Sequence, residues 1–207
     1  MKLDILAIGV HPDDVELGCS GTLIKHEKQG YKVGIIDLTK GELGTRGNAE
    51  IRLEEAKTAS EILGVHTREN LGFEDGFFKN DKQHQIELIK KIRKYQPEVV
   101  LSNAKYDRHP DHARAAQLTY DACFLAGLPK IETELENEKQ TAFRPRALYH
   151  YIQAIHAEPH FVIDITEQYE QKLKAILAYK SQFQNPDSIE QKTFISSPEF
   201  LEFVNAR

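Results

Sequence analysis

Leu3-Asp4-Ile5-Leu6-Ala7-Ile8-Gly9-Val10-His11-Pro12-Asp13-Asp14-Val15-Glu16 is the stretch that decides the fold. Leu3–Val10 reads as an apolar central strand, buried on both faces. His11-Pro12-Asp13-Asp14 closes it, with Pro where a helix begins and acids in the first turn, where carboxylates suit the helix dipole. The phrase returns in near-copy. His109-Pro110-Asp111-His112 follows the apolar run Val99-Val100-Leu101. Each phrase carries imidazole and carboxylate to the end of an expected strand.

Outward from these phrases, helix and strand patterns alternate. The spacing predicts a helix over 15–29, a strand over 31–39, and a loop over 40–48 containing Gly41, Gly44 and Gly47. It predicts a helix over 49–63 stopped by Gly64, a short strand over 67–71, and a helix over 81–95 that Pro97 bars from continuing. A strand over 99–102 and a helix over 110–125, ending at Gly127, complete the regular part. Residues 130–141 read as a polar surface excursion. Strands are expected over 147–155 and 161–165, a helix over 167–179 capped by Thr166, and a loop over 182–193. Ser197-Pro198-Glu199 opens a last helix in the order cap, Pro, acid. It runs to Arg207 without a stop signal, so a C-terminal tail is expected beyond it. The alternation implies an α/β fold: one Rossmann-like domain over 1–207, a mostly parallel sheet with helices on both faces. Ligands of such sheets sit at the carboxyl ends of strands, where both phrases fall.

Composition narrows the function. The 207 residues are 40% hydrophobic, enough for a sizeable core. No apolar run approaches the roughly 18 residues of a membrane span. The opening lacks the order of a signal peptide. Two cysteines, Cys19 and Cys123, are too few for a disulfide framework, and a cytoplasmic setting is expected. A net charge of −5 argues against nucleic acid as a partner. The expected partners are a small-molecule substrate and further copies of the chain, without nucleic acid or membrane. No Gly-x-Gly-x-x-Gly follows the first strand and the glycine loop lacks a P-loop ending, so nucleotide binding is disfavoured. Gly18 and Gly21, inside the first helix, suit close packing.

Two His-rich strand ends in one sheet can converge on a divalent metal. Two imidazoles and a carboxylate suit zinc with water completing the site; iron or another transition metal uses the same ligands. Spacing alone leaves open which of His11, Asp13, Asp14, His109, Asp111 and His112 bind. The surplus groups are what a metal hydrolase needs as base and acid. The plain alternative is that both phrases only start helices, with Glu16 a solvated helix position.

Ala7–Glu16 resembles the first signature of the LmbE/PIG-L metal-dependent sugar N-deacetylases. Asp107-Arg108-His109-Pro110-Asp111-His112 resembles the second. The likeness extends to Asp37–Glu42 and Tyr179–Phe183, and runs closest to the bacillithiol-pathway deacetylases. It implies a zinc-dependent hydrolase that removes the acetyl group from an N-acetylglucosamine conjugate, with N-acetylglucosaminyl malate the leading substrate. Other N-acetylglucosaminides, such as chitooligosaccharides and inositol conjugates, are the alternatives; a non-catalytic metal or sugar-binding module is the rival. The resemblance implies His11, Asp14 and His112 as zinc ligands and Asp13 as general base. It implies His109, as imidazolium, as oxyanion stabiliser or acid, oriented by Asp111. Arg52 and Arg108 match positions that hold the anionic part of the substrate, and Arg146 matches a family arginine near the site, so the three are the expected substrate-binding residues; the plain alternatives are a helix pair of Arg52 with Glu55 and a strand-end surface charge at Arg146. Where some relatives carry a C-terminal Tyr, this chain has Phe200, which cannot donate.

Overall fold

A computed structural model describes residues 1–183 and 191–206. Its centre is a five-stranded, all-parallel sheet of β1 (Ile5–Gly9), β2 (Val33–Thr39), β3 (Thr67–Phe73), β4 (Val99–Ser102) and β7 (Ala147–His150), in the order β3-β2-β1-β4-β7. Two-residue strands β5 (Glu134–Leu135) and β6 (Glu138–Lys139) form a separate hairpin inside the expected polar excursion.

The side-chain alternation of β1 builds a core on each face. Leu6, Ile8 and Val10 pack with α4 (Lys82–Tyr95) and α5 (Pro110–Ala126) through Leu88, Ile92, Leu118 and Ala122. Ile5 and Ala7 face the opposite way. They pack with α2 (Ser20–Lys28), α3 (Ala49–Leu63) and α6 (Tyr169–Leu177) through Leu23, Ala59 and Ile176. Chain order reverses across β1, with β2 on one side and β4 on the other. That switch point opens a crevice at the carboxyl ends of the strands.

Several expected boundaries change. The first helix breaks at Cys19 (φ −144°, ψ 9°) into α1 (Asp14–Gly18) and α2. A Cβ on Gly18 would lie 2.2 Å from the Tyr151 ring, so the glycine permits that approach. β3 runs two residues past Leu71, while β7 stops at His150, short of the expected end. Residues 161–165 join no strand: Phe161 and Val162 are exposed, and Ile165 instead packs onto Gly21. Thr166 opens a single 3-10 turn (Thr166–Gln168), and Asp164 Oδ1 accepts from both its main-chain N–H and its hydroxyl. α7 (Pro198–Asn205) begins at Ser197, whose hydroxyl accepts from the Phe200 N–H. Of the expected loop 182–193, residues 184–190 lie outside the described residues.

Candidate metal centre

Both His-Pro-Asp phrases emerge at the switch point. Val10 continues from β1, and its carbonyl accepts from the Thr39 N–H and hydroxyl at the end of β2. The chain then turns sharply through Pro12 and Asp13. Asp13 takes φ 132°, ψ −23°, a strained conformation for a residue with a Cβ. The turn aims Asp14 back under the end of β1. After β4, Pro110 starts α5, and the preceding His109 caps it.

His11, Asp14 and His112 are all buried, and their potential ligand atoms lie within 4.8 Å of one another. The far nitrogen of each imidazole is held by a carboxylate. His11 Nε2 meets Asp75 Oδ1 at 2.9 Å, which turns Nδ1 toward Asp14. His112 Nδ1 meets Asp107 Oδ2 at 2.6 Å, which turns Nε2 to within 3.2 Å of Asp14 Oδ1. Carboxylate-anchored imidazoles of this kind fix the tautomer and raise the basicity of the inner nitrogen.

The electrostatics call for a cation. Burial alone would push both imidazoles down. Hydrogen bonds and charge from Asp14 and Asp75 outweigh it at His11, raising it to about 10. Asp14 and Asp107 do the same at His112, to about 9. Burial would raise Asp14, but His112 and His11 hold it well below the usual carboxylate range. Three carboxylates thus crowd two imidazoles in a poorly hydrated place. Converging donors and surplus negative charge fit a divalent cation.

Asp13 stands beside this cluster. Burial pushes its carboxyl up to about 7, against the pull of Arg52. Arg52 reaches in from α3, donating from Nη2 to Asp13 Oδ2 at 3.0 Å and to the Pro12 carbonyl at 2.8 Å. Its Nη1 comes within 2.2 Å of where a Cβ on Gly41 would stand, so that position (φ +66°) favours glycine. The alternative helix pair with Glu55 does not form: Arg52 turns to Asp13, and Glu55 accepts from the Ser181 N–H and hydroxyl.

His109 meets His11 edge-on at 4.8 Å between centroids and stacks on His112 at 5.2 Å. Burial, then the charges of His11 and His112, hold it below the ordinary imidazole range. Asp111 contacts it differently from expectation. The hydrogen bond to His109 Nδ1 comes from the Asp111 main-chain N–H, at 3.3 Å. The Asp111 carboxylate accepts from the Gly76 N–H at 2.8 Å and Arg114 Nη1 at 2.5 Å. With Nδ1 accepting, the proton of a neutral His109 sits on Nε2.

Of the other arginines, Arg108 is exposed along the cleft above the cluster, its guanidinium 4.9 Å from the centre of the Phe194 ring. Arg146 precedes β7, at the opposite end of the sheet from the cluster, and its N–H bonds the Glu98 carbonyl. Phe200 is buried in the apolar core against Phe183, which accounts for an apolar ring there. Glu16 is not solvated: it is fully buried and accepts from Arg68 Nη1 at 2.6 Å and the Tyr179 hydroxyl at 3.0 Å.

Sequence reasoning assigned no role to Asp75, Asn103, Asp107 or Gln153, which hold the cluster. Each follows the carboxyl end of a sheet strand, the same positional signal that marked His11 and His112.

The family model PIG-L: GlcNAc-PI de-N-acetylase matches residues 6–123. The chain is 34% identical over 193 residues to diacetylchitobiose deacetylase of Thermococcus kodakarensis, covering 86% of this chain and 70% of that one. It is 28% identical over 192 residues to a probable N-acetyl-alpha-D-glucosaminyl L-malate deacetylase 2 of Bacillus anthracis, covering 86% and 81%. Among solved structures, the conserved protein TT1542 from Thermus thermophilus superposes with a TM-score of 0.86 at 38% identity, covering 99% of this chain and 86% of that one. The chain therefore belongs to the PIG-L family of de-N-acetylases, hydrolases that cleave the amide of an N-acetyl group.

Proposed function

We propose that this protein is a zinc-dependent deacetylase of an N-acetylglucosamine conjugate, with N-acetylglucosaminyl L-malate as its leading substrate. The observation that carries the reading is the buried His11–Asp14–His112 cluster with Asp13 and His109 at its edge. Zinc held by those three side chains would lower the pKa of a water toward about 7 and polarise an acetyl carbonyl. Asp13 takes the proton of the attacking water on its carboxylate as the oxygen–carbon bond forms. A carboxyl near neutrality is well matched to that task. His109 offers Nε2–H to the oxyanion, and Asp13 passes the proton it took from the water to the amine as the carbon–nitrogen bond breaks. Asp111 fixes the His109 ring through its main-chain N–H.

The malate assignment rests on the Bacillus anthracis relative and on Arg108, the guanidinium exposed along the cleft. The Thermococcus kodakarensis relative favours a chitooligosaccharide as the second reading. We place Arg52 next to the reacting groups through Asp13. Homo-oligomeric assembly is supported by the exposed apolar run Phe161–Ile163, and a cytoplasmic setting by two free, buried cysteines. No helix among the described residues is long and apolar enough to cross a membrane.

The deciding experiment incubates zinc-loaded protein with N-acetylglucosaminyl malate, diacetylchitobiose and an N-acetylglucosaminyl inositol. Equimolar acetate and free amine are expected, fastest from the malate conjugate. Zinc-bound protein that releases acetate from none of them would leave a binding module.

A further inference from the structure

Asp14 differs from the two imidazoles of the cluster in being held by amides. Asn103, directly after β4, donates from Nδ2 to Asp14 Oδ2 and to Gln153 Oε1, both at 3.0 Å. Gln153, after β7, donates from Nε2 to Asp14 Oδ1 at 3.0 Å. Both amides are buried. Their orientation is fixed by a main-chain group. The Ala104 N–H points at one Gln153 terminal atom from 3.3 Å, which must therefore be the oxygen. Gln153 is then obliged to turn its nitrogen to Asp14. Asn103, facing two acceptors, is likewise obliged to present its nitrogen.

The result is an asymmetric carboxylate. Oδ2 accepts from the Val10 N–H, the His11 N–H and Asn103, each at 3.0 Å. Oδ1 accepts from Gln153 alone among these donors and faces His112 Nε2. Three donors occupy Oδ2, which also lies 3.7 Å from His11 Nδ1, whereas Oδ1 carries one amide donor and lies 3.2 Å from His112 Nε2, so Oδ1 is the freer oxygen for a cation. Among the described residues Asn103 Oδ1 is buried with no hydrogen-bond partner, which carries a free-energy cost. A buried orphan beside a ligand cluster marks a residue kept for its other atom.

We infer that Asn103 and Gln153 are positioning residues, a clamp of two linked amides that presents Asp14 as a one-oxygen metal ligand. The inference rests on the metal reading of His11, Asp14 and His112. It ties the ligand geometry to β4 and β7, so that three strands of the sheet meet at one carboxylate.

The test is zinc affinity by chelator competition, with chemical denaturation of the metal-free proteins alongside. Gln153→Met keeps volume and removes the donor; zinc should bind about 10–100-fold more weakly, the usual loss when a ligand's outer partner is removed. Gln153→Asn withdraws the amide by one methylene and should show a similar loss. Both should fold without metal, with denaturation midpoints near wild type. Unchanged zinc affinity in both variants, beside a wild type that binds tightly, overturns the clamp and spares the metal reading. Failure of both variants to fold assigns the amides to fold stability and overturns the clamp as well. A wild type that binds no zinc overturns both together.

Discussion

At the scale of single residues, neighbouring acids of one phrase have been given opposite tasks by their surroundings. Asp14 is ringed by N–H donors and imidazoles and stays ionised, whereas Asp13 is buried beside a single guanidinium and rises to about 7. The positive φ of Asp13 is the strain that turns the two side chains apart. Two expectations follow. His112→Ala removes one of three converging donors and strips Asp107 Oδ2 of its imidazole partner, so elemental analysis of the purified variant should show most of the zinc gone. Full metal content in that variant would remove His112 from the ligand set. Asp13→Asn keeps shape and leaves the three donors untouched. It should retain zinc while deacetylation slows by about 10²–10⁴-fold, the usual cost of a lost general base. Near wild-type turnover in Asp13→Asn would place the base elsewhere.

At the scale of elements, close packing decides where helices stop and what they lock. Gly18→Ala shows the competition. Alanine gains up to about 1 kcal/mol over glycine within a helix. Here its Cβ would enter the Tyr151 ring, whose hydroxyl holds the Ile8 carbonyl at 2.9 Å. Overpacking of that kind costs about 1–3 kcal/mol, so a net loss of stability is expected in urea denaturation. A second lock ties edge strand β3 to α4. Glu69 accepts from Lys91 at 2.5 Å, Lys94 at 2.6 Å and the Tyr95 hydroxyl. Partial burial pushes this carboxyl up, but those three bonds bring it down from 4.5 to about 2. A depressed folded pKa stabilises above the unfolded value and is lost as pH falls through the folded one. The stability gap between wild type and Glu69→Gln should therefore be full at pH 7 and shrink between about pH 4.5 and 2. A constant gap across that window would detach Glu69 from the acid response. The α/β alternation, the helix stops at Gly64 and Gly127 and both signature phrases were legible because each is set by local chemistry: periodicity, caps and strand ends. The break at Cys19, the failure of residues 161–165 to join the sheet, and the burial of Glu16 were not. Each depends on a partner distant in the chain: Tyr151 and Ile165 against Gly18 and Gly21, Arg68 and Tyr179 on Glu16. The same holds for Asp75, Asn103 and Gln153, whose tasks emerge only when strand ends meet.

At the scale of the whole molecule, strand order places the chemistry and leaves the aglycone to the loops. The His11–Asp14–His112 cluster sits where order reverses across β1, and the cleft continues outward past Arg108 and Phe194. Arg52 is buried against Asp13, while Arg146 lies at the other end of the sheet. Of the three arginines singled out in the sequence, Arg108 is therefore the one with an exposed guanidinium over the cleft. If the conjugate carries a carboxylate, Arg108 should read it, because a charge-assisted hydrogen bond contributes about 1.5–3 kcal/mol. Arg108→Ala should then lower kcat/KM for N-acetylglucosaminyl malate by about 10–100-fold and barely alter it for a neutral N-acetylglucosaminide. Arg52→Ala should behave differently. It strips Asp13 of its counter-charge and should slow both substrates alike, with the loss in kcat. The two variants assayed on the two substrates separate anion recognition from support of the base. Equal losses in Arg108→Ala would make that arginine a general part of the site. A wild type that prefers the neutral sugar would end the malate assignment and leave the chitooligosaccharide reading in its place.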